Sequence, residues 1–114
     1  MRPPFGIAAV VLIALPALAI AAGDTEAATT DASSGAALFQ ERCGGCHLES
    51  GFGTRVLSRR VPEGQAALEH RTGLTPEYVR VAVRRGIGSM PQIRQAELPD
   101  EELARIAAYL GASK

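Results

Sequence analysis

Cys43-Gly44-Gly45-Cys46-His47 is the stretch from which the rest of the chain is best read. It places two thiols three positions apart and a histidine directly after the second. Cysteine pairs at this spacing serve redox-active dithiols, structural zinc sites and the covalent attachment of c-type haem. A zinc site needs four ligands, and these are the only 2 cysteines in 114 residues. A thioredoxin-like dithiol needs a βαβ setting, and no segment alternates apolar and polar residues as a strand does. A plain disulfide stays open for an exported chain with two cysteines. The adjacent histidine is what haem attachment requires. Cys43 and Cys46 would form thioethers with the porphyrin's vinyl groups, and His47 would then sit beneath the iron as an axial ligand.

The N-terminus points to export. Met1-Arg2-Pro3-Pro4 is a short n-region with one positive side chain, and Ile7 to Ile20 is almost entirely apolar. That stretch is shorter than the ~18–20 residues of a spanning helix, and Ala19-Ile20-Ala21 offers the small residues a signal peptidase reads. Residues 1–22 are therefore predicted to be a signal peptide cleaved near Ala21 or Ala22, with an uncleaved anchor as the alternative. Either way the domain is expected in the periplasm, with no membrane span after cleavage. Gly23 to Ser33 is small, polar and aperiodic and reads as a flexible leader, so residues 34–114 form the expected domain.

About 92 residues remain after cleavage, a size at which a core is marginal without help. The aromatics left are Phe39, Phe52, Tyr78 and Tyr109, with no tryptophan. A buried haem would supply the missing apolar volume. Formal net charge is +0, so bulk electrostatics point to neither nucleic acid nor an anionic membrane. The charges are unevenly placed, however. Eight arginines between Arg55 and Arg94 face only Glu63, Glu69 and Glu77, and Asp100, Glu101 and Glu102 follow together. This pattern suits solvated faces, an arginine-bearing docking surface, or counter-ions to haem propionates.

The periodicity is helical. Ser34 is a candidate cap for a helix running into Cys43, with Ala36, Phe39 and Cys43 inward and Gly44-Gly45 ending it. Residues 48–61 contain Gly51 and Gly53 and no clear period, and read as a loop. Pro62 could open a short helix ending near His70. Thr75 caps the next helix, with Pro76 at its first position, Glu77 in its first turn and Gly86 at its end. Gly86 to Leu98 reads as an irregular strap. A last helix runs from about Asp100 to Leu110 and ends at Gly111, with Leu103, Ile106, Ala107 and Leu110 forming a core-facing stripe. The fold class is all-α.

Once Met1 leaves with the signal peptide, Met90 is the only methionine. A lone methionine usually fills a core gap on a helix face. Met90 instead lies in Gly86-Ile87-Gly88-Ser89-Met90-Pro91, a proline-stiffened strap that can hold a thioether opposite His47. His/Met ligation raises the reduction potential, because a neutral thioether favours Fe(II). With both axial positions filled there is no open site for substrate chemistry, so the domain would carry single electrons without being an enzyme. His70 is the competing sixth ligand, but it stands in the polar stretch Glu69-His70-Arg71. Phe39, Phe52, Val83, Ile87 and Leu110 are candidate haem-pocket walls.

With the attachment motif near the start and a methionine near the end, residues 34–111 resemble a class I c-type cytochrome. In that family an N-terminal helix crosses the C-terminal one, and Gly35, Phe39 and Tyr109 stand at the matching contact positions. The segments Leu74–Arg80, Arg85–Pro91 and Glu97–Leu110 are similar to small cytochrome subunits of periplasmic flavin dehydrogenases of the 4-cresol methylhydroxylase type. The resemblance implies one covalently bound haem c, with Cys43 and Cys46 as anchors and His47 and Met90 on the iron. It implies electron transfer from a periplasmic dehydrogenase to a downstream cytochrome or oxidase. A haem sensor or gas-binding protein with a displaceable Met90, and a haem-free thiol oxidoreductase, are the rival readings. Two departures stand out. The Gly-Pro-x-Leu segment whose carbonyl orients the proximal ring is replaced by Gly51-Phe52-Gly53-Thr54, and Pro99 precedes the last helix where serine or threonine is commoner.

Overall fold

The structure, a computed structural model, describes residues 24–112, with side chains from Ser34 onward. The expected signal peptide lies outside them. The elements are α1 (Asp24–His47), α2 (Phe52–Leu57), a single 3-10 turn (Leu68–His70), α3 (Pro76–Arg85) and α4 (Asp100–Gly111). Among the described residues there is no strand, only an isolated antiparallel bridge between Ile87 and Met90. None of the described helices is long and apolar enough to cross a membrane. The all-α expectation is met.

Helix α1 differs from its sequence reading at both ends. It begins at Asp24, so the stretch expected to be a flexible leader is helical. The segment Asp24–Ser33 holds no glycine or proline, and its alanines favour helix. At the other end Gly44 and Gly45 do not break the helix, which runs to His47, and Leu48 N still donates to Gly44 O at 3.0 Å. Two glycines cost about 1 kcal/mol each in a helix interior, which the packing of α1 on α4 offsets. The buried face of α1 is set by Gly35, Phe39 and Gly44 rather than by Ala36.

Residues 48–61 are not simply a loop. Phe52–Leu57 forms the six-residue α2, whose apolar Phe52 and Val56 are spaced i, i+4. Pro62, by contrast, opens only a turn, with Gln65 N donating to Pro62 O at 3.1 Å, and no helix before the 3-10 turn.

Helix α3 has the anatomy its sequence indicates. Thr75 Oγ1 accepts from Tyr78 N at 3.1 Å, Pro76 opens the first turn, and Gly86 closes the helix at φ +71°. A Cβ at Gly86 would lie 2.5 Å from Met90 O, so only glycine lets the strap fold back there. In α4 the stripe Leu103, Ile106, Ala107 and Leu110 is buried as expected. Pro99 provides no side-chain cap.

Helix α4 packs on both α1 and α3. Where α1 crosses it, Gly35 lies against Arg105 O and Tyr109 Cβ, and the Phe39 and Tyr109 rings stand 6.1 Å apart at 45°. Arg42 Nη2 pairs with Glu102 at 3.3 Å across the same crossing. The core joins Phe39, Val79, Val83, Leu98, Ile106 and Leu110. Full burial of Phe39, Leu98 and Ile106 contributes about 1.5–3 kcal/mol each.

Candidate functional site

The C-terminal end of α1, helix α2, the face of α3 and the strap enclose one cleft. Its empty space, counting the part open to solvent, is about 1120 Å³. Cys43, Cys46, His47 and Met90 all line it, as do the five wall residues expected from the sequence, Phe39, Phe52, Val83, Ile87 and Leu110. His70 does not. It is exposed at the end of the 3-10 turn, and only its neighbours Leu68 and Arg71 reach the cleft.

The cysteines and His47 follow from helix geometry. With α1 continuous to His47, residues 43, 46 and 47 recur at i, i+3 and i+4 and share one face. Helix α2 then folds tightly back. A Cβ at Gly51 would collide with the Cys46 carbonyl, and one at Gly53 would lie 2.9 Å from Cys46 O and 3.0 Å from His47 Cε1. The glycines expected to mark a loop instead let α2 close over the histidine. Met90 reaches the same cleft from the strap, on a tight turn. Ile87 N donates to Met90 O at 3.1 Å and Met90 N to Ile87 O at 2.9 Å, with Gly88 at φ +56°. A positive φ at that first central position favours glycine.

The chemistry of these groups discriminates among the readings. Burial pushes the Cys43 thiol above its ordinary value of 9.0, and the neighbouring Cys46 pushes the same way. A reactive dithiol needs the opposite, a thiol lowered toward the thiolate. The two cysteines are unpaired with each other. Among the described residues no three His, Cys, Asp or Glu side chains converge to hold a metal, so zinc lacks its ligand set. Burial lowers the His47 pKa below its ordinary 6.5, which keeps the imidazole neutral and able to donate a lone pair. His47 Nδ1 is itself buried without a partner, and so is Thr54 Oγ1.

These residues fit a haem. Two thiols and an imidazole from the end of α1 and a thioether from the strap line one apolar cleft. Sequence reasoning missed several walls. Val56 and Leu57 went unseen because α2 was read as loop, although Phe52 and Val56 carried the i, i+4 signal. Of the uneven arginines, Arg60 and Arg71 reach the cleft, whereas Arg84 is turned inward to bond backbone carbonyls.

Comparison with known proteins agrees. The family model described as cytochrome C oxidase, cbb3-type, subunit III matches residues 30–110. The chain belongs to this cytochrome c family. A curated relative, the cytochrome c subunit of 4-cresol dehydrogenase [hydroxylating] from Pseudomonas putida, is 32% identical over 96 residues, covering 83% of this chain and 73% of that protein. No solved structure matches. The cytochrome is thus an electron carrier rather than a catalytic enzyme, and its cofactor is one covalently bound haem c. The Pro-less segment after His47 is where it departs from the commoner pattern: residues 52–57 are helical, and Thr54 O accepts from Ser58 N at 2.9 Å.

Proposed function

We propose that this cytochrome is a periplasmic monohaem carrier that takes single electrons from a dehydrogenase and passes them to a downstream cytochrome or oxidase, as a subunit of that dehydrogenase or as a free partner. Residues 1–22 are its signal peptide, residues 23–33 lead into the domain, and residues 34–114 hold the haem. Cys43 and Cys46 anchor the porphyrin as thioethers. His47, through its neutral nitrogen, and Met90, through its thioether sulfur, would hold the iron.

One observation carries this reading. Cys43, Cys46 and His47 on the end of α1 line the same apolar cleft as Met90 on the strap. When bound, the haem supplies an iron that cycles between Fe(III) and Fe(II). The chain's own work would be to exclude water, hold the group through Cys43, Cys46, His47 and Met90, and keep its surroundings apolar, which favours the less charged Fe(II) state. Met90 held on the iron would block oxygen or peroxide from binding there. The dehydrogenase partner is supported by the relative described as a subunit of 4-cresol dehydrogenase.

The test is spectroscopic. Periplasmic protein is expected to carry one haem per chain by the pyridine haemochrome assay, retained after denaturation. The oxidised protein is expected to show the weak charge-transfer band of a methionine–Fe(III) bond, lost in Met90→Ala. Absence of haem would overturn the whole reading. Rapid, tight carbon monoxide binding by the reduced protein would instead favour a gas-binding haem with a displaceable Met90.

A further inference from the structure

The strap between α3 and α4 has no regular structure, yet two of its carbonyls, those of Ile93 and Leu98, are bonded by one side chain. Arg84, in the last turn of α3, sends its guanidinium across it. Nη1 donates to Ile93 O at 3.0 Å, and Nη2 donates to Leu98 O at 2.8 Å and to Asp100 Oδ1 at 2.6 Å. One planar fork therefore ties down positions three, eight and ten residues beyond Met90. The Arg84 side chain is only 25% exposed, and its two bonds to carbonyls are part-buried, whereas the Asp100 end of its ion pair is exposed.

Met90 sits between two clamps. The upstream one is backbone, the reciprocal pair with Ile87 beside Gly86. Downstream, Ile93 is held from both sides of its own residue: its N donates to Val83 O at 2.9 Å, and its carbonyl accepts from Arg84. Arg84 also secures the start of α4, where Pro99 offers no side-chain cap and Asp100 is shared with Gln95 Nε2 at 2.7 Å.

We propose that Arg84 is the positioning residue for Met90, cross-linking the strap to α3 and α4 so that the thioether stays on the iron. The inference rests on the reading of Met90 as sixth ligand. Without the guanidinium two part-buried carbonyls lose their donor, an arrangement that costs more than a missing surface contact. The strap relieves that cost by opening to water, and opening carries Met90 away from His47. A lysine keeps the charge but has no rigid fork with which to serve two carbonyls and a carboxylate together.

The experiment uses haem-loaded wild type, Arg84→Gln, Arg84→Lys and Met90→Ala. It measures the methionine–Fe(III) band against temperature, the rate of carbon monoxide binding to the reduced protein, and the reduction potential. Arg84→Gln is expected to keep its covalent haem and helical circular dichroism. It should lose the band at a lower temperature, bind carbon monoxide at least about tenfold faster, and have a lower potential. Arg84→Lys should fall between it and wild type. Tyr109→Phe, which weakens the fold away from the strap, should lower the melting temperature without speeding carbon monoxide binding. The proposal fails if both Arg84 variants match wild type in band and binding rate while Met90→Ala loses the band. If wild type itself lacks the band and Met90→Ala changes nothing, the ligand reading has failed, and Arg84 falls with it. Should Arg84→Gln not accumulate as folded protein, Arg84→Lys and Asp100→Asn decide the matter by the same readouts.

Discussion

The imidazole of His47 lies where a side chain on residue 53 would go. A Cβ there would stand 3.0 Å from Cε1, 3.2 Å from Nδ1 and 2.9 Å from the Cys46 carbonyl. The carbonyl belongs to α1 and cannot retreat without moving the helix, so α2 must shift away from it, and the ring packed against residue 53 adjusts with it. Gly53→Ala is therefore expected to turn the His47 ring, shift the reduction potential if that ring holds the iron as proposed, and cost about 1–3 kcal/mol of stability. Potentiometry and a denaturant titration followed at the haem band check both, and unchanged values in each would show that the ring moves freely. At this scale the meeting of Cys43, Cys46 and His47 in one cleft was legible because they lie within five consecutive positions, and that of Met90 because it was the lone thioether in a stiff strap. The role of Gly53 was not. A close approach between α1 and α2 leaves no mark in a sequence where the second helix has six residues.

Between elements, the crossing of α1 and α4 turns on a missing side chain. A methyl on Gly35 would run into Arg105 O and come within 2.9 Å of Tyr109 Cβ. Gly35→Ala is expected to force the helices apart and destabilise the holoprotein by about 1–3 kcal/mol. A urea melt showing an unchanged midpoint would mean the helices slide past the clash. Tyr109 adds a pH-dependent link, since its hydroxyl donates to Glu69 Oε1 at 2.8 Å and joins α4 to the 3-10 turn. Burial, the bond to Glu69 and that carboxylate's charge raise its pKa above the ordinary 10.0. A raised folded value means the native state keeps the proton where the unfolded chain has lost it. The contribution is therefore complete below about pH 10 and declines as pH rises from there through the folded value. Unfolding titrations between pH 8 and 11 should show that decline, with its slope reduced in Tyr109→Phe. The longer helices were legible from stripes and caps, as in α3 and α4. Helix α1 overran its glycines because packing on α4 outweighs local propensity, and α2 escaped notice because six residues hold less than two turns of period.

In the molecule as a whole, the described core is thin for the cleft it surrounds. Phe39, Val79, Val83, Ile106 and Leu110 belong to the buried core, yet each also lines the cleft. The same side chains thus face the protein on one side and the cofactor's place on the other. The sequence anticipated this from few aromatics and a short chain, but could not say which helices would share the wall. A chain unable to attach haem should then lose more than a ligand. Apolar walls left around water forfeit both burial and dispersion contacts, at about 25 cal/mol for each Å² exposed. Attachment through Cys43 and Cys46, as proposed, would also join α1 to the cofactor covalently, so loss of both thiols would remove the anchor as well as the filling. Cys43→Ser combined with Cys46→Ser, expressed with haem maturation intact, is expected to give a haem-free chain. Its helical circular dichroism should be weaker, its thermal transition broad, and its digestion by protease much faster than that of the holoprotein. Both serines are small and polar and leave α1 otherwise unchanged, so a variant that kept a sharp transition would show that the helices close on their own, and the haem would then be a passenger in this fold rather than its centre.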